Sequence, residues 1–212
     1  MFIEPQLNPH RQTGWIEVVC GSMFSGKTEE LIRRVNRALI AKQAVTIFKP
    51  AIDKRYDDIK VVSHNKNEII SVPVDFSHQI LPLSQDYEVI AIDEAQFFDE
   101  HLPKICNVLA NQGKRVILSG LDMDFEGKPF GVMPHLIAIA EFVTKVHAIC
   151  VCCGGVASYS FRLSASKKQV LLGEKDVYEP RCRHCYMKGV QAEAIEHEIP
   201  FFHQENTTIL HN

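Results

Sequence analysis

Apolar runs of strand length alternate with amphipathic stretches of helix length as far as residue 150. WIEVVC (15–20) reads as a buried strand. After a glycine-bearing loop, TEELIRRVNRALIAKQ (28–43) puts Leu31, Ile32, Val35 and Leu39 on one helical stripe. AVTIFKP (44–50) and EVIAID (88–93) predict the second and third strands. HLPKICNVLANQG (101–113) predicts a helix that tolerates Pro103 in its early turns and stops at Gly113. KRVILSG (114–120) predicts a fourth strand, MPHLIAIAE (133–141) a short helix and FVTKVHAIC (142–150) a fifth strand. Strands that are apolar throughout and separated by helices predict an α/β fold, a parallel sheet covered by helices on both faces.

The pattern breaks at Cys150. From there to about residue 189 the chain is glycine-rich and helix-poor, and it holds five of the seven cysteines. The final stretch, 191–212, is polar and reads as a fraying tail, and residues 1–13, with Pro5 and Pro9, read as a loose arm. Four segments are therefore expected: an arm (1–13), an α/β domain (14–149), a small cysteine-bearing domain (150–189) and a polar tail (190–212).

Composition narrows the classes. At 212 residues with 46% apolar and 23% charged positions, the chain has the make-up of a soluble globule with one good core. A net charge of −3 gives no global attraction to nucleic acid or acidic lipid. The N-terminus lacks a secretory pattern and no run is long enough to cross a bilayer, so a cytoplasmic location is expected. There, cysteines serve as thiols or metal ligands. Cys20 and Cys106 fall within apolar strand and helix patterns, as buried core thiols do.

The loop after the first strand, GSMFSGKT, matches G-x-x-x-x-G-K-[ST] at Gly21, Gly26, Lys27 and Thr28. Glycines let successive amide N–H groups curl toward an anion, and the helix that starts there directs its positive end at the same point. Lys27 would reach the β- and γ-phosphates of ATP, and the Thr28 hydroxyl would ligate Mg²⁺. Eight residues alone also describe a glycine turn with an exposed lysine; the flanking strand and amphipathic helix select the phosphate cradle. VIAIDEAQFF then supplies Asp93 and Glu94 at a strand's C-terminal edge, where open parallel sheets bind ligands. Asp93 suits Mg²⁺, held through water, and Glu94 suits a general base.

Cys150-x-x-Cys153 and Cys182-x-x-Cys185 form two knuckles suited to tetrahedral, structural Zn²⁺. The 28 residues between them exceed the roughly 15–20 usual for a zinc ribbon. Cys150-Val-Cys152 is an alternative first pair; two-residue spacing favours Cys153 because both sulfurs can then face one ion. The zinc ties the ends of a long loop that reads as a substrate lid, carrying Tyr159 and Tyr178. Leu121, Phe125 and Phe130 in GLDMDFEGKPFG (120–131) suit one wall of a small apolar slot, or equally the core of a loop. A strand ending in Asp-Glu also suits a motor ATPase. In a chain with room for one lobe, that alternative is a ring-forming ATPase with a zinc ribbon for DNA; a further one is a zinc-ribbon binding module without turnover.

GSMFSGKT, KPAIDKRY, IDEAQFF, GLDMDFEGKPFG and the two cysteine pairs, in this order over residues 15–187, resemble the zinc-containing (type II) thymidine kinases. The resemblance implies a P-loop α/β domain binding MgATP and a zinc-tethered lasso closing over thymidine, whose 5′-hydroxyl is phosphorylated on a salvage route to DNA precursors. It makes Glu94 the base and sets Arg55 near the transferred phosphate, with the role of Asp53 open. The ATP and Mg²⁺ set becomes Gly21, Ser22, Met23, Phe24, Ser25, Gly26, Lys27 and Thr28 with Asp93 and Gln96. Met23, Leu121, Phe125, Phe130, Ser160, Gly173 and Tyr178 fall at or near nucleoside-contacting positions, Met23 toward the thymine methyl. Gln169 and Leu171 stand where some members carry valines. The resemblance also implies a homotetramer, feedback inhibition by dTTP, and no nucleic-acid or membrane partner.

Overall fold

The computed structural model of the chain describes residues 13–52, 60–62, 68–164 and 177–196. Six parallel strands form the central sheet: β1 (Trp15–Cys20), β2 (Val45–Pro50), β5 (Val72–Val74), β6 (Val89–Ile92), β7 (Arg115–Gly120) and β8 (Phe142–Lys145). Their spatial order is β5-β2-β6-β7-β1-β8. A short antiparallel pair, β3 (Lys60–Val62) and β4 (Glu68–Ile70), stands apart from it. Helices α1 (Lys27–Ile40), α2 (Ile80–Leu83), α3 (Leu102–Asn111) and α4 (Met133–Ile139) complete this part of the chain.

Apolar residues that run continuously in sequence divide between the two faces of the sheet. Ile47, Val89, Ala91 and Ile117 pack with Leu31, Ile32, Val35 and Ala38 of α1. Ile16, Val18, Ile90, Ile92, Val116 and Leu118 pack with α3 and α4 on the other side. Each fully buried Leu or Ile stabilises the fold by about 1.5–3 kcal/mol relative to exposure. Cys20 and Cys106 lie in the second cluster, and burial pushes the Cys20 thiol up to about 11.

Leu39, expected on the buried stripe, is 47% exposed. Ala38, seven residues after Leu31 and therefore two turns along the same line, takes the buried place. The predicted fifth strand is two strands. Residues 142–145 pair with β1, whereas β9 (Ala148–Ile149) leaves the sheet and pairs antiparallel with β10 (Val156–Ala157). The edge strand β5 carries Pro73, whose missing N–H is tolerated at a sheet edge and hides the strand from pattern reading. Beyond β11 (Tyr159–Arg162) and β12 (Tyr178–Arg181), an antiparallel pair, α5 (Arg183–Glu196) is helical where the sequence predicted a helix-poor segment running into a fraying tail.

A buried ionic group fastens α1 to the sheet. Glu17 accepts hydrogen bonds from Trp15 Nε1 at 2.6 Å, Arg34 Nη1 at 2.9 Å and Arg115 Nε at 2.7 Å. Arg34, with no exposed side-chain area, also donates from Nη2 to Thr144 Oγ1 on β8 at 2.9 Å. Breaking such a buried group by removing one partner costs about 3–5 kcal/mol. The group thereby links β1, β7 and β8 to α1, and the loops after β1 and β7 form part of the site.

Candidate active site

The loop from Gly21 to Gly26 joins the end of β1 to the first turn of α1. Gly26, at φ +84°, caps the helix, and Glu30 N donates to its carbonyl at 3.0 Å. Gly21 is required by contact as well as by its φ of +150°, since a Cβ there would lie 2.2 Å from the Val146 carbonyl. Lys27 Nζ and Ser25 Oγ both donate to the Ser22 carbonyl, at 2.8 and 2.7 Å, so the ammonium lies folded over the loop. Phe24 takes a left-handed conformation, φ +62°, uncommon for a bulky residue. Its side chain packs on the Ala148, Cys150 and Ala157 cluster, with Cys182 and Cys185 alongside. Met23 N donates to Ser160 Oγ on β11 at 3.0 Å. The loop is therefore attached to the cysteine-bearing segment twice, by a side chain and by an amide.

Asp93 directly follows β6 and is buried. Its Oδ1 accepts from Glu94 N at 3.0 Å and from Ser119 Oγ on β7 in a short hydrogen bond. Burial, with the Glu94 charge next, pushes the Asp93 carboxyl up to about 6, against the Ser119 bond and the Lys27 charge. Glu94 is half-buried at φ +52° and caps a short 3₁₀ turn, Ala95–Phe97. Gln96 Nε2 donates to Glu94 Oε2 at 2.5 Å, while Gln96 Oε1 accepts from Leu121 N at 3.0 Å. One amide thus fixes the carboxylate and ties it to the next loop.

The raised Asp93 carboxyl has a consequence for stability. Below about pH 4 folded and unfolded chains both hold its proton. Between about 4 and 6 only the folded chain does, so stability falls as pH rises through that window and the penalty is complete above it. The penalty is on the order of 3 kcal/mol at most. Asp93→Asn should therefore raise the melting temperature of the Mg²⁺-free, zinc-loaded protein by several degrees at pH 8 and by little at pH 4. Equal shifts at the two pH values would overturn this account.

Residues 120–131 wall the site from the β7 side. Asp124 Oδ1 accepts from Glu126 N and Lys128 N, each at 3.0 Å, which closes the loop on itself. Phe130 is buried, edge-on to Phe97 with centroids 5.6 Å apart, and Leu121 is half-buried. Gly131, φ +50°, passes within 2.3 Å, measured from an added Cβ, of the Gln96 carbonyl. Tyr186 Oη donates to the Phe125 carbonyl at 2.8 Å.

The cysteine sulfurs of Cys150, Cys153, Cys182 and Cys185 all lie within 4.8 Å of one another. Sulfurs on a tetrahedron around zinc stand about 3.8 Å apart, and Cys153 Sγ and Cys182 Sγ are separated by 3.7 Å. Burial opposes ionisation of Cys150, but the amides of Cys182, Cys152 and Cys153 outweigh it and bring the thiol down to about 6. The donor set fits structural Zn²⁺. Cys152 is exposed and stands outside the cluster, so Cys153 is the partner of Cys150.

The family model described as thymidine kinase matches residues 14–186. The chain belongs to the thymidine kinase family. A thymidine kinase of Bacteroides fragilis (strain YCH46) is 59% identical over 191 residues, 90% of this chain and 96% of that one. One from Porphyromonas gingivalis (strain ATCC BAA-308 / W83) is 62% identical over 175 residues, 82% of this chain and 86% of that one. One from Rhodothermus sp. (strain ITI 518) is 54% identical over 187 residues, 88% of both chains. A solved structure titled as a DNA replication initiation factor aligns at a TM-score of 0.40 and 14% identity, over 63% of this chain and 40% of that one. A likeness that weak bears on no reading of this thymidine kinase family member.

The structure brings the phosphate loop, Asp93, Glu94, Gln96 and Leu121 together at one edge of the sheet, with Ser160 against Met23. Arg55, Asp53, Gly173, Gln169 and Leu171 lie outside the described residues. Three residues in this thymidine kinase fold had no sequence signal strong enough to single them out. Ser119 is one polar residue in an apolar strand, Tyr186 reads as an ordinary neighbour of Cys185, and Arg162 reads as a solvated loop arginine although it is buried. An arginine between apolar and aromatic strand positions was the available clue for the last.

Among the described residues no helix is long and apolar enough to cross a membrane.

Proposed function

We propose that this thymidine kinase transfers the γ-phosphate of MgATP to the 5′-hydroxyl of thymidine, giving thymidine 5′-monophosphate, with deoxyuridine as a further acceptor. The observation that carries the reading is the Asp93-Glu94 pair at the end of β6, facing a phosphate loop whose lysine stands at the first residue of α1. The loop amides, the α1 N-terminus and Lys27 bind the β- and γ-phosphates. Thr28 and Asp93 would hold Mg²⁺, which supplies charge neutralisation of the phosphate oxygens. Glu94, held by Gln96, accepts the proton of the attacking hydroxyl, so that the nucleophile gains charge as the P–O bond forms.

Arg55 sits in the motif assigned to the transferred phosphate and offsets charge on its oxygens. Met23, Leu121, Phe125, Phe130, Ser160, Gly173 and Tyr178 bound the nucleoside, with residues 150–189 as the lasso domain, 14–149 as the ATP-binding domain and 1–13 as an arm. A homotetramer, dTTP inhibition and a cytoplasmic location complete the proposal by family resemblance.

The deciding assay offers ATP labelled in the γ-phosphate with thymidine, deoxyuridine, deoxycytidine or single-stranded DNA. Label should move to thymidine. Hydrolysis stimulated by DNA and indifferent to nucleosides would overturn the reading. Lys27→Ala should weaken ATP binding and lower turnover together, because the ammonium meets the phosphates both before and during transfer. Loss of only one of the two, measured by nucleotide titration and steady-state rates, would remove Lys27 from that role.

A further inference from the structure

We infer that Arg162 is a positioning residue for thymidine binding: its buried guanidinium sets the spacing between Phe125 and Tyr178. This rests on the nucleoside-binding reading above.

Arg162 is only 4% exposed, although a long charged side chain at a domain edge ordinarily reaches solvent. Its guanidinium carbon lies 3.6 Å from the centroid of the Phe125 ring, a stacking distance, and 5.1 Å from that of Tyr178. Its Nε and Nη2 both donate to Tyr178 Oη, at 3.2 and 2.5 Å. The two rings come from elements remote in sequence, the loop after β7 and strand β12, and the guanidinium touches both. On one side it offers a flat cation to a π-face, and along its edge two N–H donors to a phenol.

The strand beneath supports the same arrangement. Ser160 and Arg162 are two residues apart and so share one face of β11, while Tyr159 and Phe161 on the other face pack with Tyr186. Ser160 holds the Met23 amide and Arg162 holds the two rings, so one strand face sets three of the proposed nucleoside contacts. Phe125 is restrained twice, through its carbonyl by Tyr186 and through its ring by Arg162. The described contacts of the guanidinium run to Phe125 and Tyr178, so its effect is expected on the nucleoside rather than on ATP.

Arg162→Lys keeps the charge, but an ammonium cannot lie flat on Phe125 while giving two bonds to Tyr178. In the full-length protein, this variant should raise KM for thymidine on the order of tenfold, with kcat and KM for ATP near wild type and zinc content unchanged. Tyr178→Phe, which keeps the ring and loses the hydroxyl, should raise KM for thymidine less. The double variant should be no worse than Arg162→Lys alone, since both remove the same contact. An unchanged KM for thymidine, equal rises in both KM values, or additive effects would each overturn the inference. Those results require a wild type that phosphorylates thymidine. A wild type inactive on thymidine would bring down the functional reading, and this inference with it.

Discussion

Glu94→Gln is expected to lower thymidine phosphorylation by about 10²–10⁴-fold while leaving ATP affinity near wild type. Glutamine is nearly isosteric, and its amide oxygen can still accept from Gln96 Nε2, which stands 2.5 Å from Glu94 Oε2. The left-handed backbone at this position, φ +52°, is as accessible to glutamine as to glutamate. What the variant loses is the capacity to take a proton from the attacking hydroxyl. Asp93 does not replace it, because its Oδ1 is occupied by Ser119 and by the Glu94 amide, and the carboxyl is buried. Lys27 and the loop amides are untouched, so nucleotide binding should persist. Near-normal single-turnover rates for this variant would exclude Glu94 as the base.

The second large effect is expected from Cys182→Ser. Zinc should fall from about one per chain to a small fraction, because three remaining thiolates leave a tetrahedral site open. The main sheet should still fold: its two core clusters contain none of the four ligands. KM for thymidine should rise by about tenfold or more, a loss of about 1.4 kcal/mol, because β12 and α5 flank Cys182 and carry Tyr178 and Tyr186. KM for ATP should rise as well. Phe24 holds a strained left-handed conformation and packs on the same Ala148, Cys150 and Ala157 cluster as Cys182 and Cys185, and Met23 is bonded to Ser160. Loosening that cluster removes what keeps the phosphate loop curled. Elemental analysis with steady-state kinetics checks both parts. A zinc-free variant with wild-type KM values would refute the structural role of the metal.

Much of this arrangement was readable before any coordinates. The parallel sheet announces itself because its strands are buried on both faces and so are apolar without alternation, as in VIAI (89–92). The phosphate loop is readable because its requirements are local: Gly21 and Gly26 at positive φ, then a helix. The cysteine pairs are readable because two-residue spacing lets two sulfurs face one ion. Other features resisted. β5 is three residues long and contains a proline, and the strand predicted over 142–150 breaks where the chain turns aside from β1 past Gly21. The helix after Cys182 has no apolar stripe to reveal it, since its residues pack through Tyr186 and through the close approach of Gly189 to Phe161 and Arg181. Arg34 and Leu39 illustrate the same limit on α1: the charged residue is buried by Glu17, and the leucine is turned outward.

By itself the sequence determined the class of fold, the glycine-rich loop before α1, the acidic pair, the four clustered thiols and the family, all of which depend on residues close in the chain or on motifs in a given order. Only the tertiary structure decided which of these touch. Phe24 reaches the cysteine cluster, Ser119 meets Asp93, Gln96 joins Glu94 to Leu121, and Arg162 lies between Phe125 and Tyr178. Each of the four joins residues from different loops or strands. Such contacts follow from how β6 pairs with β7 in the main sheet and how the β11–β12 pair sits against the loop after β7, a placement that comes from packing rather than from any local pattern.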